Sequence, residues 1–231
     1  MNVFILEGIN DVIFFETLLK FHFKKSNIPK AHGIQFRKGI DKVRRILLGR
    51  NYNYIKTNVG LMIYGDNGRP NIINKALPRL VEDTIGRIPD VLKFFTVLDA
   101  DRFSDEETLD LIENKLKEKN IPFSEIKKYK KNELIIQSTQ DPRYMIKLHL
   151  FQIPECLEKQ LVIEGIKRCG SLKNKEKTRL LNNDPHDSLQ EIAKKMRIPK
   201  NELIKISITN EWFNKTSWYL SLLSRISSFF S

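Results

Sequence analysis

The sequence contains little cysteine and little histidine. Its 231 residues include two cysteines, Cys156 and Cys169, and four histidines. The two cysteines are thirteen residues apart and form no Cys-x-x-Cys pair. Structural zinc sites and disulfide frameworks both need clusters of such residues, so we expect neither in this protein.

Long apolar runs and targeting signals are also missing. No apolar stretch reaches the roughly 18 residues that a membrane-spanning helix needs. Residues 1–7 lack the basic flank and the small-residue cleavage site of a signal peptide. The sequence has no internal repeat, no low-complexity linker and no Gly-x-x-x-x-Gly-Lys-Ser/Thr loop. We therefore expect a cytoplasmic protein without a membrane partner.

Acidic residues are in deficit. Lysine and arginine total 40 against 28 for aspartate and glutamate, which gives a formal net charge of +12 and a sequence pI of about 9.6. This balance favours a phosphate-rich partner, because each phosphate that is neutralised releases condensed counterions. We expect nucleic acid, and DNA rather than RNA, although a lysine-rich composition also occurs in proteins that bind neither.

The pattern of apolar residues predicts the fold class. Short apolar runs alternate with amphipathic stretches four times over about the first 120 residues. This alternation predicts an α/β fold, with a mainly parallel central sheet flanked by helices on both faces. Three later strands are expected to form hairpin extensions, and the chain from Pro154 onward is expected to be helical. We assign residues 1–165 to the α/β domain and residues 166–231 to a small helical C-terminal region.

Four carboxylates follow two of the predicted strands. Glu7 comes directly after the first apolar run, with Asp11 in the next helical turn, and Asp99 and Asp101 come directly after the apolar run 94–98. The carboxyl ends of parallel strands meet at one edge of a sheet, so these acids should be neighbours in space. Clustered oxygen ligands suit Mg²⁺ or Mn²⁺. The alternative is that the acids only cap helices and turns.

Three short segments carry a resemblance to a known family. Glu7-Gly8-Ile9-Asn10-Asp11 follows the first strand, Gly65-Asp66-Asn67-Gly68 follows a middle strand, and Asp99-Ala100-Asp101 follows a later one. In this order they resemble the TOPRIM domain shared by topoisomerases, bacterial-type primases and OLD-family nucleases. The Glu-x-x-x-Asp form of the first segment is most similar to the OLD type and to small stand-alone archaeal or bacterial TOPRIM proteins. The resemblance covers roughly residues 1–165 and implies a TOPRIM-like Rossmannoid fold.

The resemblance also implies roles for single residues. It implies that three residues are catalytic, namely Glu7, Asp99 and Asp101. It implies that five residues hold Mg²⁺ or Mn²⁺, namely Glu7, Asp11, Asp99, Asp101 and Glu158. Glu155 is the alternative to the last of these. The family's catalytic lysine lies farther along the chain, where three lysines are available for it, namely Lys173, Lys175 and Lys177.

These expectations point to a metal-dependent nuclease that hydrolyses phosphodiester bonds in DNA or RNA. One alternative is a non-catalytic TOPRIM module that binds metal and nucleic acid together with partner proteins. Another is an interaction subunit whose acids are structural. Since the sequence carries no ATP-binding loop of the kind that OLD proteins have, coupling to ATP would need a separate ATPase partner.

Clusters of basic residues are candidates for contacts with a nucleic-acid backbone. Seven residues represent them, namely Lys42, Arg44, Arg45, Lys128, Lys130, Lys175 and Lys177. Each could equally lie on an ordinary solvated face. A position around the acidic site would support a role in binding phosphate.

The C-terminal region contains two further patterns. Residues 188–200 resemble the first half of a helix-turn-helix with a short second helix, 200–205, and a plain helical pair is the alternative. Residues 210–231 carry an aromatic stripe at helical spacing. The stripe predicts a helix that packs into the core or forms a homodimer contact, rather than a helix on a membrane surface.

Overall fold

The structure, a computed structural model, describes residues 2–28, 30–32, 61–85, 91–121 and 124–231. The described strands are β1 Asn2–Leu6, β2 Lys30–His32, β3 Leu61–Gly65, β4 Val91–Asp99, β5 Ser124–Lys130, β6 Glu133–Ser138 and β7 Met145–Ile153. The described helices are α1 Ile9–Phe23, α2 (Arg69–Asn71, a π-helical turn Ile72–Ala76, and Leu77–Thr84), α3 Asp105–Glu118, α4 Leu157–Arg168, α5 Asn174–Asn182, α6 Pro185–Lys195, α7 Lys200–Thr209 and α8 Ser217–Phe230. The candidate phosphate contacts Lys42, Arg44 and Arg45 lie outside the described residues.

The seven described strands form one sheet in the order β2-β3-β1-β4-β7-β6-β5. The first five strands of this order pair in parallel, and β6 and β5 extend the sheet in antiparallel pairing. The predicted α/β class, the mainly parallel sheet and the hairpin extensions are therefore confirmed. The chain after β7 is mainly helical, as expected.

Helices cover both faces of the sheet. Successive strand residues point to opposite faces, so Val3 and Ile5 belong to one core and Phe4 and Leu6 to the other. Helices α2 and α3 close the first core, and α1 with α4 to α8 closes the second. Burial on both faces explains why β1 and β3 are continuous apolar runs rather than alternating ones.

The C-terminal aromatic helix α8 packs into the chain's own core. Trp218, Tyr219 and Phe229 are buried, and the Phe229 ring meets the Phe4 ring edge-on at a centroid distance of 5.5 Å. The Tyr219 hydroxyl is 2.9 Å from Nε2 of His22 in α1. The predicted core role of the stripe is thus confirmed, whereas a homodimer through this helix stays a prediction. None of the described helices has the length and hydropathy needed to cross a membrane.

Helices α6 and α7 form the predicted helical pair. Helix α7 extends to Thr209, beyond the predicted end at residue 205, and its Leu203, Ile204 and Ile208 are buried. Because α7 packs along α1, it belongs to the second core, which is the plain-pair alternative. The division of the chain after residue 165 stays a prediction, and residue 165 lies inside α4.

Helix α3 begins with a capping box at Ser104. Its Oγ accepts a hydrogen bond from the Glu107 N–H at 3.2 Å, and the Glu107 carboxylate accepts one from the Ser104 N–H at 2.8 Å. We expect Ser104→Ala to lower the free energy of unfolding by about 1 kcal/mol, because a helix-start N–H loses its partner. Thermal unfolding should show a decrease of about 2–4 °C. Ser228→Ala, on the exposed face of α8, is the control, and an equal decrease there would contradict the assignment.

Candidate metal centre

Glu7 is the first residue after β1, and its carboxylate joins three elements. Oε1 accepts a hydrogen bond from the Asp99 N–H at 2.8 Å, at the end of β4. Oε2 accepts one from the Arg69 N–H at 3.0 Å, at the start of α2. The predicted proximity of Glu7 and Asp99 is therefore confirmed, because β1 and β4 are parallel neighbours that end at the same edge.

Asp99 and Asp101 have different surroundings. Asp99 Oδ1 accepts a hydrogen bond from the Leu157 N–H at 3.3 Å, at the start of α4. Asp101 is exposed and has a left-handed backbone with φ of 47°, which directs its N–H to the Glu155 carbonyl at 3.4 Å. Asp101 does not line the acidic cavity described next, but its charge helps to raise the pKa of Glu7.

An acidic cavity of about 390 Å³ opens at the carboxyl edge of the sheet. Its lining includes five carboxylates, namely Glu7, Asp11, Asp66, Asp99 and Glu158. These acids come from the ends of β1, β3 and β4 and from the first turns of α1 and α4. Strand β1 lies between β3 and β4, and α/β proteins bind ligands where the strand order reverses in this way.

Two of these acids have further partners in the cavity. Glu158 is almost fully buried, and its Oε1 accepts a hydrogen bond from Asn10 Nδ2 at 2.6 Å. Asp66 is fully buried and accepts hydrogen bonds from the Tyr64 hydroxyl and from the Asn67 N–H, the latter at 2.7 Å. The sequence did not indicate Asp66 or Asn10 as site residues, although Asp66 follows a buried strand just as Glu7 and Asp99 do.

Two basic residues also line the acidic cavity. His186 is in the first turn of α6, with Nδ1 3.4 Å from the Glu158 carboxylate, and Lys200 begins α7. Neither was indicated by the sequence, because their position depends on how α6 and α7 pack. Since residues at the starts of α1, α4, α6 and α7 also line it, the positive helix ends and the two basic residues share the cavity with the acids.

The other predicted candidates lie elsewhere. Glu155 is exposed and does not line the cavity. Lys175 and Lys177 are in the first turns of α5, where their neighbour Glu176 pairs with Lys195 at the far end of α6. Because His186 is at the opposite end of α6, the start of α5 lies at the end of α6 that is remote from the cavity, and this holds for Lys173 too.

The predicted basic residues of the hairpin are also distant from the cavity. Lys128 forms an ion pair with Asp110 of α3, and Lys130 lies 3.6 Å from Glu133. Both lysines are on β5, the outermost strand on that side and three strands away from β4. Their contact with nucleic acid stays a prediction that the geometry of the cavity does not support.

Burial and neighbouring carboxylates raise the pKa values of three acids of the cavity, namely Glu7, Asp11 and Asp99. Burial raises the pKa of Glu7 to about 7, against the lowering effect of its hydrogen bonds from Asp99 and Arg69. Burial, followed by the charges of Glu7, Asp11 and Glu158, raises the pKa of Asp99 to about 9. The pKa of Asp11 is raised well above its usual value by burial and by Glu158 and Glu7. Such a cluster ionises fully only when a positive charge enters it.

The donor atoms of the cavity are suited to a hard cation. Asn10 is 6% exposed, and its Oδ1 has no hydrogen-bond partner among the described residues. Asp99, Cys156 and Glu158 offer ligand atoms within 4.8 Å of one another. Burial raises the pKa of the Cys156 thiol to about 12. The other donors are carboxylate and amide oxygens, which are ligands typical of Mg²⁺ and Mn²⁺.

Fold and site together define an α/β protein with an acidic cavity at the switch point of a mainly parallel sheet. Comparison of the chain with protein-family models, with curated proteins and with solved structures gives no match. A function for this protein therefore has to come from the chemistry of the site.

Proposed function

We propose that this protein is a Mg²⁺- or Mn²⁺-dependent nuclease of TOPRIM-like architecture. The observation that carries the proposal is the convergence of acids from the ends of three neighbouring strands, β1, β3 and β4, in a cavity that Lys200 and His186 also line. All three segments that carry the TOPRIM resemblance contribute lining residues, through Glu7, Asp66 and Asp99. The net charge of +12 makes nucleic acid the favoured phosphodiester substrate.

Asp11, Asp99 and Glu158 are the residues that would hold the cation, with Asn10 Oδ1 as a further oxygen ligand. When bound, a divalent ion supplies charge stabilisation at the phosphoryl group and eases the deprotonation of water. The Asn10–Glu158 hydrogen bond at 2.6 Å and the Leu157–Asp99 bond at 3.3 Å hold two of these carboxylates in place. A preformed ligand set of this kind reduces the entropy lost on binding.

Glu7 is the proposed proton acceptor. Its carboxylate is fixed by two backbone hydrogen bonds, and a pKa of about 7 allows it to take up or release a proton near neutral pH. General acid–base catalysis is most efficient with a pKa close to the working pH. Exposed Asp101, whose charge helps to set this pKa, is a supporting residue in this proposal.

Lys200 and His186 are the proposed contacts for the scissile phosphate. Both are at the beginning of a helix, where backbone N–H groups and the helix dipole favour an anion. They line the same cavity as the acids, and His186 lies 3.4 Å from Glu158, so a phosphate bound by them would be next to the proposed cation. This arrangement gives the role of the family's lysine to Lys200, in place of the three lysines that the sequence suggested.

We expect the metal-stripped protein to cut supercoiled plasmid only after Mn²⁺ or Mg²⁺ is added, and Asp99→Asn to reduce the rate ~100-fold or more. Asparagine keeps an Oδ1 that can accept the Leu157 N–H bond but removes the charge. Glu7→Gln is less suitable, because one amide cannot accept both hydrogen bonds of Glu7. The measurement is the rate of nicking on agarose gels.

Glu106→Gln provides the matched control, since Glu106 is an exposed acid in the first turn of α3. Its rate should equal that of the parent. The nuclease proposal fails if the parent cuts neither plasmid nor single-stranded DNA with the cation present, or if Asp99→Asn cuts as fast as the parent. Calorimetric Mg²⁺ binding and salt-dependent DNA affinity without any cutting would select the non-catalytic binding module instead.

A further inference from the structure

A second cavity of about 740 Å³ lies between α1 and α7, and we call it the α1/α7 groove. Its ten lining residues include four lysines, Lys20, Lys24, Lys30 and Lys205, and one acid, Glu16. The groove is therefore strongly basic, in contrast to the acidic cavity. None of these lysines belongs to the clusters that the sequence suggested as phosphate contacts.

The α1/α7 groove begins where the acidic cavity ends. Asn10 and Lys200 line the cavity, whereas Ile13 and Asn201, one turn and one residue farther along the same helices, line the groove. From Asn10 to Lys24 the path along α1 covers about 20 Å at 1.5 Å per residue. One end of a polyanion bound along the groove would therefore lie in the acidic cavity, next to the proposed cation.

The groove combines positive charge with an apolar surface. Ile13 and Phe21 are partly buried against the second core and also line the groove. Lys24 Nζ lies 5.8 Å from the centre of the Phe21 ring. Single-stranded nucleic acids are bound by this combination, with basic side chains along the backbone and an aromatic ring against the bases. A duplex hides its bases and would leave the apolar surface unused.

The groove lysines retain positive charge for a ligand. Lys20 and Lys30 both contact Glu16 at 2.6 Å, so two cations share one carboxylate. Lys205 lies 3.4 Å from Glu202, and the side chains of all three lysines are about half exposed, at 51%, 47% and 53% for Lys20, Lys30 and Lys205. These weak surface pairs can exchange for phosphate at little cost.

We propose that the α1/α7 groove binds a single-stranded segment of nucleic acid and leads one of its phosphates into the acidic cavity. The delivery of a phosphate for cleavage rests on the proposed nuclease function. Binding in the groove does not, because it depends only on the lysines and on the apolar surface. The proposal therefore names both the form of the substrate and the path that it takes.

The test is the affinity of a short fluorescent single-stranded DNA of mixed sequence, measured by anisotropy in EDTA over a range of salt concentrations. We expect Lys20→Gln, Lys24→Gln and Lys205→Gln together to weaken binding about tenfold or more at ~0.1 M salt, and the salt slope to fall by about 2, at ~0.7 per phosphate contact on a single strand. Glutamine removes the charge and keeps a polar side chain of similar length.

The matched control removes three lysines from the opposite face of the sheet. Lys115→Gln, Lys117→Gln and Lys119→Gln together remove the same charge at the end of α3. Affinity should be unchanged in this variant. Equal weakening in both triple variants would overturn the proposal, because net charge alone would then explain binding, and so would a duplex that binds as tightly as the single strand.

A separate variant tests the apolar surface. Phe21→Leu keeps an apolar side chain but removes the aromatic face, and we expect single-strand affinity to fall at least about fivefold, with the salt slope unchanged. Unchanged affinity would overturn the stacking part of the proposal. If the parent binds the strand through the groove but, with Mn²⁺ present, cuts neither that strand nor plasmid, the nuclease function fails and the groove stands. If the parent cuts, and the triple groove variant binds and cuts as well as the parent, the groove proposal fails and the nuclease function stands.

Discussion

Asp99→Asn is expected to raise the melting temperature of the metal-free protein by about 5–10 °C near pH 8, and by almost nothing near pH 4. In the unfolded chain Asp99 ionises with an ordinary pKa near 3.8, whereas burial and neighbouring acids raise the pKa to about 9 in the folded protein. Between these values unfolding releases a proton, so the folded state loses stability as the pH rises, on the order of a few kcal/mol by pH 8. Asparagine cannot ionise, so the variant does not lose this stability as the pH rises.

The measurement is thermal unfolding of parent and variant in EDTA at both pH values. Because the asparagine side chain of the variant can still accept the Leu157 N–H bond, the comparison isolates the charge. Glu106→Gln, which changes an exposed acid, should give no gain at either pH. A variant no more stable than the parent at pH 8 would show that Asp99 is not held in a repulsive cluster. A gain of the same size at pH 4 would point to packing rather than charge.

The edge of the sheet that carries the site was predictable, because it follows from backbone topology. Apolar runs that end in Glu7 and Asp99 are buried on both faces, which only a covered parallel sheet allows. Parallel strands that are neighbours must bring their ends together, and the contact between Glu7 and the Asp99 N–H is the result. The same reasoning applies to Asp66 at the end of β3, but a residue in a Gly-rich turn is more readily interpreted as part of the turn alone.

The two basic residues of the site were not predictable in the same way. Lys200 and His186 lie in the packed C-terminal helices, and no local pattern tells which helix start points to a cavity formed by strands far away in the sequence. Asp101 follows the same strand end as Asp99, but a left-handed backbone, with φ of 47°, leaves it exposed and outside the lining of the cavity. Its predicted role in catalysis and metal binding stays a prediction.

The stability of the protein and its proposed activity make opposing demands on the acidic cavity. Buried carboxylates that repel one another lower the stability of the metal-free fold, and hydrophobic replacements would remove that cost. The chain offsets it partly with fixed donors, including the Asn10 amide on Glu158 and the Arg69 N–H on Glu7. A purely structural role for the acids gives no reason to retain such a cluster, whereas a cation-binding role does.

Addition of Mn²⁺ should therefore raise the melting temperature of the parent, and more so near pH 8 than near pH 6. A ligand that binds only the folded state at a hundred times its Kd contributes about 2.7 kcal/mol, or about 5–10 °C for a chain of this size. Protons compete with the cation for Asp99 and Asp11, because the pKa of Asp99 is raised to about 9 and the pKa of Asp11 is raised well above its usual value, so the increase should shrink as the pH falls.

Asp99→Asn, which should stabilise the metal-free protein, should also lose the rise in melting temperature on addition of Mn²⁺. Asp99→Asn is expected to be more stable than the parent in EDTA and less stable than the parent in saturating Mn²⁺, because the ion loses a ligand. Cys156→Ser is the matched control, since its thiol is within the same group of side chains but is held protonated. It should respond to Mn²⁺ as the parent does. An absent Mn²⁺ response, or an equal response in Asp99→Asn, would mean that the acids do not form a cation site, and the proposed chemistry would fail with it.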